Sequence, residues 1–302
     1  MVEALRAADI QSAVAEKNKI ALDLTVHQSI DSTNSWSMQQ ARLGRPLPFA
    51  CFAEQQSQGR GRRGKPWAMK PRANIAMSLC WLFPMPAALQ LLPLSVAVII
   101  AETLEAMRLA QVQIKWPNDV YVQGRKIAGI LIETQPVRPG EKDGKPGPDV
   151  KQDLVNQDMA NQGQLAVVIG VGLNLDMDEE LLSQQVPEGH DIQQITDIHR
   201  QFEAQMIGRP PARGPIAAEL LSRIIGLCQD FEQQATTSRE RFRNSYDYCM
   251  NKNIDLITDT EGCLRGCAQG VSDEAELIVR IDGSDELRRF NSAEVSVRAG
   301  MG

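Results

Sequence analysis

The apolar positions of this chain change period several times, and each change marks an element. Leu5, Ile10 and Val14 are spaced for a short docking helix within residues 1–18, and Ile20–Val26 reads as a strand. The cluster Ser29-Ile30-Asp31-Ser32-Thr33-Asn34 holds helix-capping residues ahead of a helix over Ser35–Leu43, which Gly44 closes. Phe49–Glu54 and Ala73–Leu82 predict strands on either side of a glycine-rich loop. Leu89–Leu109 predicts a helix with Pro93 in its first turn, where proline is tolerated. Val112–Trp116 reads as a strand, then Val120–Val122 and Arg125–Glu133 as a hairpin about Gln123-Gly124.

From Gln135 to Gln164 the periodicity disappears under prolines, glycines and charges, which predicts an extended, mobile surface insertion over 136–164. Leu165–Ile169 is a buried-type strand entering Gly170-Val171-Gly172-Leu173-Asn174. Paired glycines at a strand end point to close approach by another chain segment or a ligand. Leu181–Arg200 is poorly patterned, with Pro187–His190 placed to cover a site. Ile216–Phe231 is amphipathic, and Arg239–Cys249 continues as helix. After Asn251 short strands take over: Ile254–Thr258, Gly262–Val271, Ala275–Ile281, Glu286–Phe290 and Glu294–Val297. That density of strands and turns suggests a small separate barrel.

Composition adds bounds. The formal net charge of −6 argues against a general nucleic-acid binder. Val96–Ala101 is too short an apolar run to span a membrane, and Glu3, Arg6 and Asp9 interrupt any leader-like stretch at the start. Six cysteines are scattered without metal-ligand spacing, which fits a reducing, cytoplasmic setting.

Against that acidic background, Gly59-Arg60-Gly61-Arg62-Arg63-Gly64-Lys65-Pro66-Trp67 sets four cations among three glycines. Bare glycine N–H groups can form an anion-binding nest, and arginine adds planar charged donors for carboxylate or phosphate. A solvated basic turn is the plainer alternative. The glycines fit G-x-G-x-x-G, but Lys65-Pro66-Trp67 follows where a helix should open. A P-loop reading fails because Pro66 stands where the magnesium-binding hydroxyl belongs. Lys115 and Lys126 fall on predicted neighbouring strands, each weak evidence alone.

Together, Ser32-Thr33-Asn34, Gln56 with the glycine loop and Trp67, Lys115-Trp116-Pro117-Asn118-Asp119, Arg125-Lys126-Ile127-Ala128-Gly129-Ile130 and Gly170–Asn174 stand in one order that resembles the biotin protein ligases, from about Leu24 onward. The resemblance implies an α+β fold, a mixed, largely antiparallel sheet with helices of the class II synthetase type, plus a small C-terminal SH3-like β-barrel. It implies a catalytic domain over 1–249, an SH3-like domain over 250–302, and a form without the N-terminal winged-helix repressor domain. Such enzymes join biotin and ATP, with Mg2+, into biotinyl-5′-AMP and pyrophosphate. They then transfer the biotinyl group to a lysine of the biotin carboxyl carrier protein of acetyl-CoA carboxylase.

Both steps are attacks by substrate groups, so positioning and charge neutralisation are required and an enzyme nucleophile is not. By motif, Ser32, Thr33, Asn34, Gln56, Arg60, Gly61, Arg62 and Lys126 would bind biotin. Lys115, Asn118, Gly172 and Asn174 would bind the nucleotide. Arg62, Lys115, Asp119 and Lys126 would carry the chemistry. Like charges on the loop are expected to hold it open until an anion draws it shut. Trp67 is a pocket wall or a core residue. Arg72-Ala73-Asn74 departs from the family, where glycine commonly precedes the asparagine. No nucleic-acid or membrane partner is expected, and a homodimer is left open. The alternatives are a lipoate or octanoate transferase, whose R-R-x-S-G-G-G-type motif is missing here, and a non-catalytic metabolite-binding regulator.

Overall fold

Phe49–Ala53 is an unbroken apolar run, and it forms strand β2, buried at every position as an interior strand must be. The computed structural model describes residues 3–84, 89–137, 164–181, 194–258, 261–284, 286–292 and 295–299. Strand β1 (Asp23–His27) runs parallel to β2, and β3 (Asn74–Pro84) runs antiparallel to it. Strands β4 (Val112–Lys115), β5 (Asp119–Val122), β6 (Arg125–Val137) and β7 (Gln164–Asn174) complete the sheet through antiparallel pairs. The order is β1-β2-β3-β7-β6-β5-β4, a mixed, largely antiparallel sheet as expected. Gln123 and Gly124 both have positive φ (50° and 72°), the geometry of a two-residue hairpin turn between β5 and β6.

Helices α1 (Ala7–Asn18), α2 (Thr33–Arg42), α3 (Leu92–Ala106), α4 (Ile198–Ala204), α5 (Arg213–Gln229) and α6 (Phe231–Arg241) accompany this sheet. Helix α3 has Pro93 in its first turn and is apolar almost all round. Residues Leu89–Ala106 are long and apolar enough to cross a membrane by length and composition, more than the Val96–Ala101 run suggested. Most of that stretch is instead packed inside the protein. Leu92, Leu94, Val96, Ile100 and Leu104 are at most 1% exposed. Burying each contributes about 1.5–3 kcal/mol.

A second, five-stranded antiparallel sheet follows: β8 (Asn253–Thr258), β9 (Gly262–Val271), β10 (Leu277–Ile281), β11 (Leu287–Phe290) and β12 (Val295–Ala299), in order β11-β10-β9-β8-β12. It matches the small C-terminal β domain expected. Its inward residues Leu256, Ala268, Leu277 and Val279 belong to the same buried cluster as the main sheet. The Trp116 indole N–H donates to the Ala275 carbonyl at 2.8 Å, tying β4's end to the second sheet.

Several expectations change. Strand β7 does not stop at Ile169 but continues through both glycines to Asn174. A Cβ at Gly170 would lie 2.1 Å from Asn34 Oδ1, and one at Gly172 would lie 2.8 Å from the Trp67 ring. The glycines are there because side chains lie on the strand, not because the strand ends. Strand β6 runs to Val137, so Pro136, Val137 and Gln164 belong to the ladder rather than to the insertion. Residues 138–163 and the loop Pro187–His190 lie outside the described residues. The predicted helix Arg239–Cys249 is α6 ending at Arg241, followed by one π turn over Phe242–Tyr246. Helix α4 was missed, because only Ile198 and Phe202 mark its apolar face within a polar stretch.

Candidate active site

The hairpins of the main sheet concentrate charge at one corner. Lys115 and Asp119 are cross-strand partners on β4 and β5, and Lys126 Nζ meets Asp119 Oδ1 at 2.7 Å. The two lysines are therefore not on neighbouring strands: β5 and its carboxylate lie between them. Gly129 pairs opposite Asp119, and a Cβ there would come within 3.4 Å of both Asp119 Oδ1 and Lys126 Nζ. Burial pulls the Lys115 pKa below its ordinary value, and the Asp119 carboxylate opposes that pull. Two ammonium groups share one carboxylate here, leaving a positive corner suited to phosphate or carboxylate oxygens.

The glycine loop folds back on itself above this corner. Gly61 N–H donates to Lys65 O at 2.7 Å and Trp67 N–H to Gly59 O at 2.8 Å. A Cβ at Gly59 would lie 2.3 Å from the Trp67 carbonyl oxygen, so no other residue fits there. Arg60 forms a two-pronged ion pair with Glu133, both contacts at 3.0 Å, and its Nε reaches Ser35 Oγ at 3.3 Å. Arg62 donates to Asn118 Oδ1 at 3.2 Å and to the Ser292 carbonyl of the second sheet. Burial lowers the Arg62 pKa, while the Asp119 charge works the other way. The expectation of a loop held open by its own charges is thus corrected. Arg60 and Arg62 have protein acceptors, which offset the repulsion.

Beside the loop lies a buried polar group: Ser32, Thr33, Asn34 and Gln56 are each at most 9% exposed. Ser32 caps α2, its hydroxyl accepting from Ser35 N–H at 3.5 Å, so for this side chain the plain capping role is real. Thr33 N–H donates to Gln56 Oε1 at 2.6 Å, coupling the helix start to the entry of the loop. Asn34 is held on three sides, by Ser78 Oγ at 2.6 Å, Glu133 Oε2 at 2.9 Å and the Leu131 carbonyl at 3.3 Å. Gly172 lies under the Trp67 ring, which also packs against the cluster of Ala53, Met69 and Ala76. Trp67 is thus packed as a core residue on both sides.

Asn118 is locked to β6 by reciprocal bonds with Ile130, at 2.7 and 3.0 Å. Asn174 accepts from Asn74 Nδ2 at 3.1 Å and donates to the Thr196 carbonyl at 3.0 Å. Thr196 N–H in turn donates to Lys126 O at 2.9 Å, joining Asn174 to the lysine corner.

Sequence reasoning missed Glu133, which anchors both Arg60 and Asn34. The available signal was a lone carboxylate in an apolar strand. It noted Asn74 only as the asparagine that follows Arg72-Ala73 and gave it no role; its place opposite Asn174 supplies one. Among the described residues no three His, Cys, Asp or Glu side chains gather to hold a metal ion.

This fold and this cation-lined corner are similar to those of one class: the biotin/lipoate A/B protein ligase family, whose model matches residues 26–142. Within that family its similarities run to the biotin ligases. It is 29% identical over 272 residues to the bifunctional ligase/repressor BirA of Escherichia coli, covering 89% of this chain and 72% of that protein. Over 150 residues it is 35% identical to the biotin–[acetyl-CoA-carboxylase] ligase of Paracoccus denitrificans, 48% of this chain and 51% of that one. Among solved structures, the biotin protein ligase from Aquifex aeolicus in complex with biotin and ATP superposes with a TM-score of 0.65 at 22% identity, covering 92% of this chain and 99% of that one. The Leishmania major biotin protein ligase with biotin gives 0.54 at 19% identity, covering 89% and 98%. At these identities the structures establish a shared fold.

Proposed function

We propose that this chain activates biotin with ATP as biotinyl-5′-AMP and transfers it to a lysine of a biotin carboxyl carrier domain. The observation that carries the proposal is convergence. Arg62, Asn118, Asp119 and Lys126 meet at one corner, and Arg60 of the same loop, through Ser35 and Glu133, ties it to the buried polar group of Ser32, Thr33, Asn34 and Gln56. A neutral, hydrogen-bonding ureido ring suits the buried side, and the carboxylate at the far end of biotin would reach the cations.

Attack of that carboxylate on the α-phosphorus brings two anions together and expels pyrophosphate. Lys126 and Arg62 would lower the repulsion and hold the developing charge, with Lys115 nearby. Mg2+ would arrive with ATP, its ligands supplied mainly by phosphate oxygens, and Asp119 is the carboxylate at hand. In the second step the acceptor amine attacks the acyl carbon and AMP leaves.

The loop arginines divide their work. Arg62 rests on neutral acceptors, the Asn118 amide and the Ser292 carbonyl. A phosphate adds a full opposite charge and paired oxygens that a neutral amide or carbonyl lacks, so an adenylate would recruit this guanidinium. Arg60 rests on the Glu133 carboxylate, already charge-assisted, and so anchors the loop.

Biotin-dependent ATP–pyrophosphate exchange tests the proposal: exchange that needs biotin supports it, and exchange driven by lipoate or octanoate instead, or none, sinks it. Arg62→Gly should still make the adenylate but release it early, since an acyl adenylate must be shielded from water and stray amines. Incubated with biotin, ATP and albumin, the variant should biotinylate the albumin. Unlabelled albumin alongside a normally labelled carrier domain would remove Arg62 from the latch role.

A further inference from the structure

Asn74 opens β3 directly opposite Asn174 on β7, and its side chain is fully buried. Its Nδ2 donates to Asn174 Oδ1 at 3.1 Å, while Asn174 Nδ2 donates to the Thr196 carbonyl at 3.0 Å. Those two contacts fix which way the Asn174 amide faces. Turned by half a revolution, it would set Oδ1 against the Thr196 carbonyl and Nδ2 against the Asn74 amino group. Each contact opposes the flip, and without the Asn74 amino group only the Thr196 carbonyl would be left to oppose it.

An asparagine amide offers two acceptor and two donor places. With one of each used by the protein, Asn174 keeps one acceptor and one donor. That pair complements adenine, whose exocyclic amino group donates and whose ring nitrogen accepts, and it opposes a purine carrying a carbonyl at the same carbon. The position agrees: Asn174 is two residues beyond Gly172 and therefore on the face that the Trp67 ring covers.

Asn74 also keeps Oδ1 buried with no partner in the fold. A leucine has nearly the same shape and would remove that orphaned acceptor, but it would also strip Asn174 Oδ1 of its donor, so the amide's use lies in its contact with Asn174. What the amide supplies is its donor to Asn174. Its backbone is held independently, since Arg213 Nε donates to the Asn74 carbonyl at 3.0 Å.

We infer that Asn74 is a specificity-determining positioning residue: it locks the Asn174 amide in the orientation that selects ATP over nucleotides with a carbonyl in place of the adenine amino group. This deepens the proposed function and rests on Asn174 meeting the base. The test compares ATP with ITP, which differ at that one group, in wild type, Asn74→Leu and Asn74→Ala. The expected result is a preference for ATP in wild type that falls about tenfold or more in kcat/KM in both variants, the scale of one lost bidentate base contact. KM for biotin should stay within about twofold, because the change is confined to nucleotide binding.

Calorimetric binding of ATP and ITP reads the same preference without turnover. Absence of biotin-dependent exchange would therefore sink the ligase reading while leaving this inference measurable. An unchanged ATP preference in the variants, none in wild type, or equal losses for both nucleotides would overturn it. Variants that fail to fold would overturn it too, by assigning Asn74 to the scaffold.

Discussion

Lys126→Gln should cut biotin-dependent ATP–pyrophosphate exchange by about 10²-fold or more, the loss that follows removal of one preorganised electrostatic donor. The expectation follows from place. Lys126 stands at the start of β6 with its ammonium 2.7 Å from Asp119 Oδ1, and its backbone carbonyl accepts from Thr196. Gly129 leaves room beside both side chains. Glutamine keeps a hydrogen-bonding end but loses the charge, which is what a carboxylate nearing a phosphate requires. Folding should be little altered. The Lys126 and Asp119 side chains are 36% and 25% exposed, and pairs this open to solvent contribute about 0–1 kcal/mol. Exchange rate and thermal midpoint together decide the matter. A wild-type rate in a folded variant would move the role to Lys115, whose ammonium burial already disfavours.

Much of this was legible because strong local signals agreed with the fold. The apolar run Phe49–Ala53, the Gln123-Gly124 turn and the capping cluster before α2 each specify one local structure, and each is found there. The motif residues do converge, though they come from α2, the glycine loop and strands β4 to β7, because the sheet order folds distant strands together. What the chain could not reveal is pairing. Nothing in the pattern says that Arg60 will spend its charge on Glu133, or that Arg62 will reach a carbonyl in the second sheet. Gly170 and Gly172 were legible as places of close approach, but the approaching groups, Asn34 and Trp67, are 136 and 105 positions away (170 − 34 and 172 − 67). The insertion was bounded too early for a similar reason: Pro136 breaks a pattern by composition, yet strand pairing continues past it to Val137.

Arg213→Met should lower unfolding stability by about 3–5 kcal/mol, the loss typical of breaking a buried ion pair from one side. Arg213 is 2% exposed and Glu54 3% exposed. The guanidinium meets Glu54 Oε2 at 2.6 Å and also donates to the Asn74 carbonyl at 3.0 Å and the Ala53 carbonyl at 3.4 Å. The other carboxylate oxygen accepts from Leu5 N–H at 2.8 Å, so the pair joins the chain ahead of α1, the start of α5, the end of β2 and the start of β3. Burial disfavours the charged guanidinium, and the Glu54 charge is what holds it in place. Methionine would fill much of the volume but leave Glu54 charged and unpaired two residues before Gln56. Both the stability loss and a weakened grip on biotin should follow, read as a raised KM for biotin. Adding Glu54→Gln in the same chain should recover part of the stability, because it removes the stranded charge. A single variant that unfolds within about 1 kcal/mol of wild type would show that this pair does not hold the biotin side of the site together.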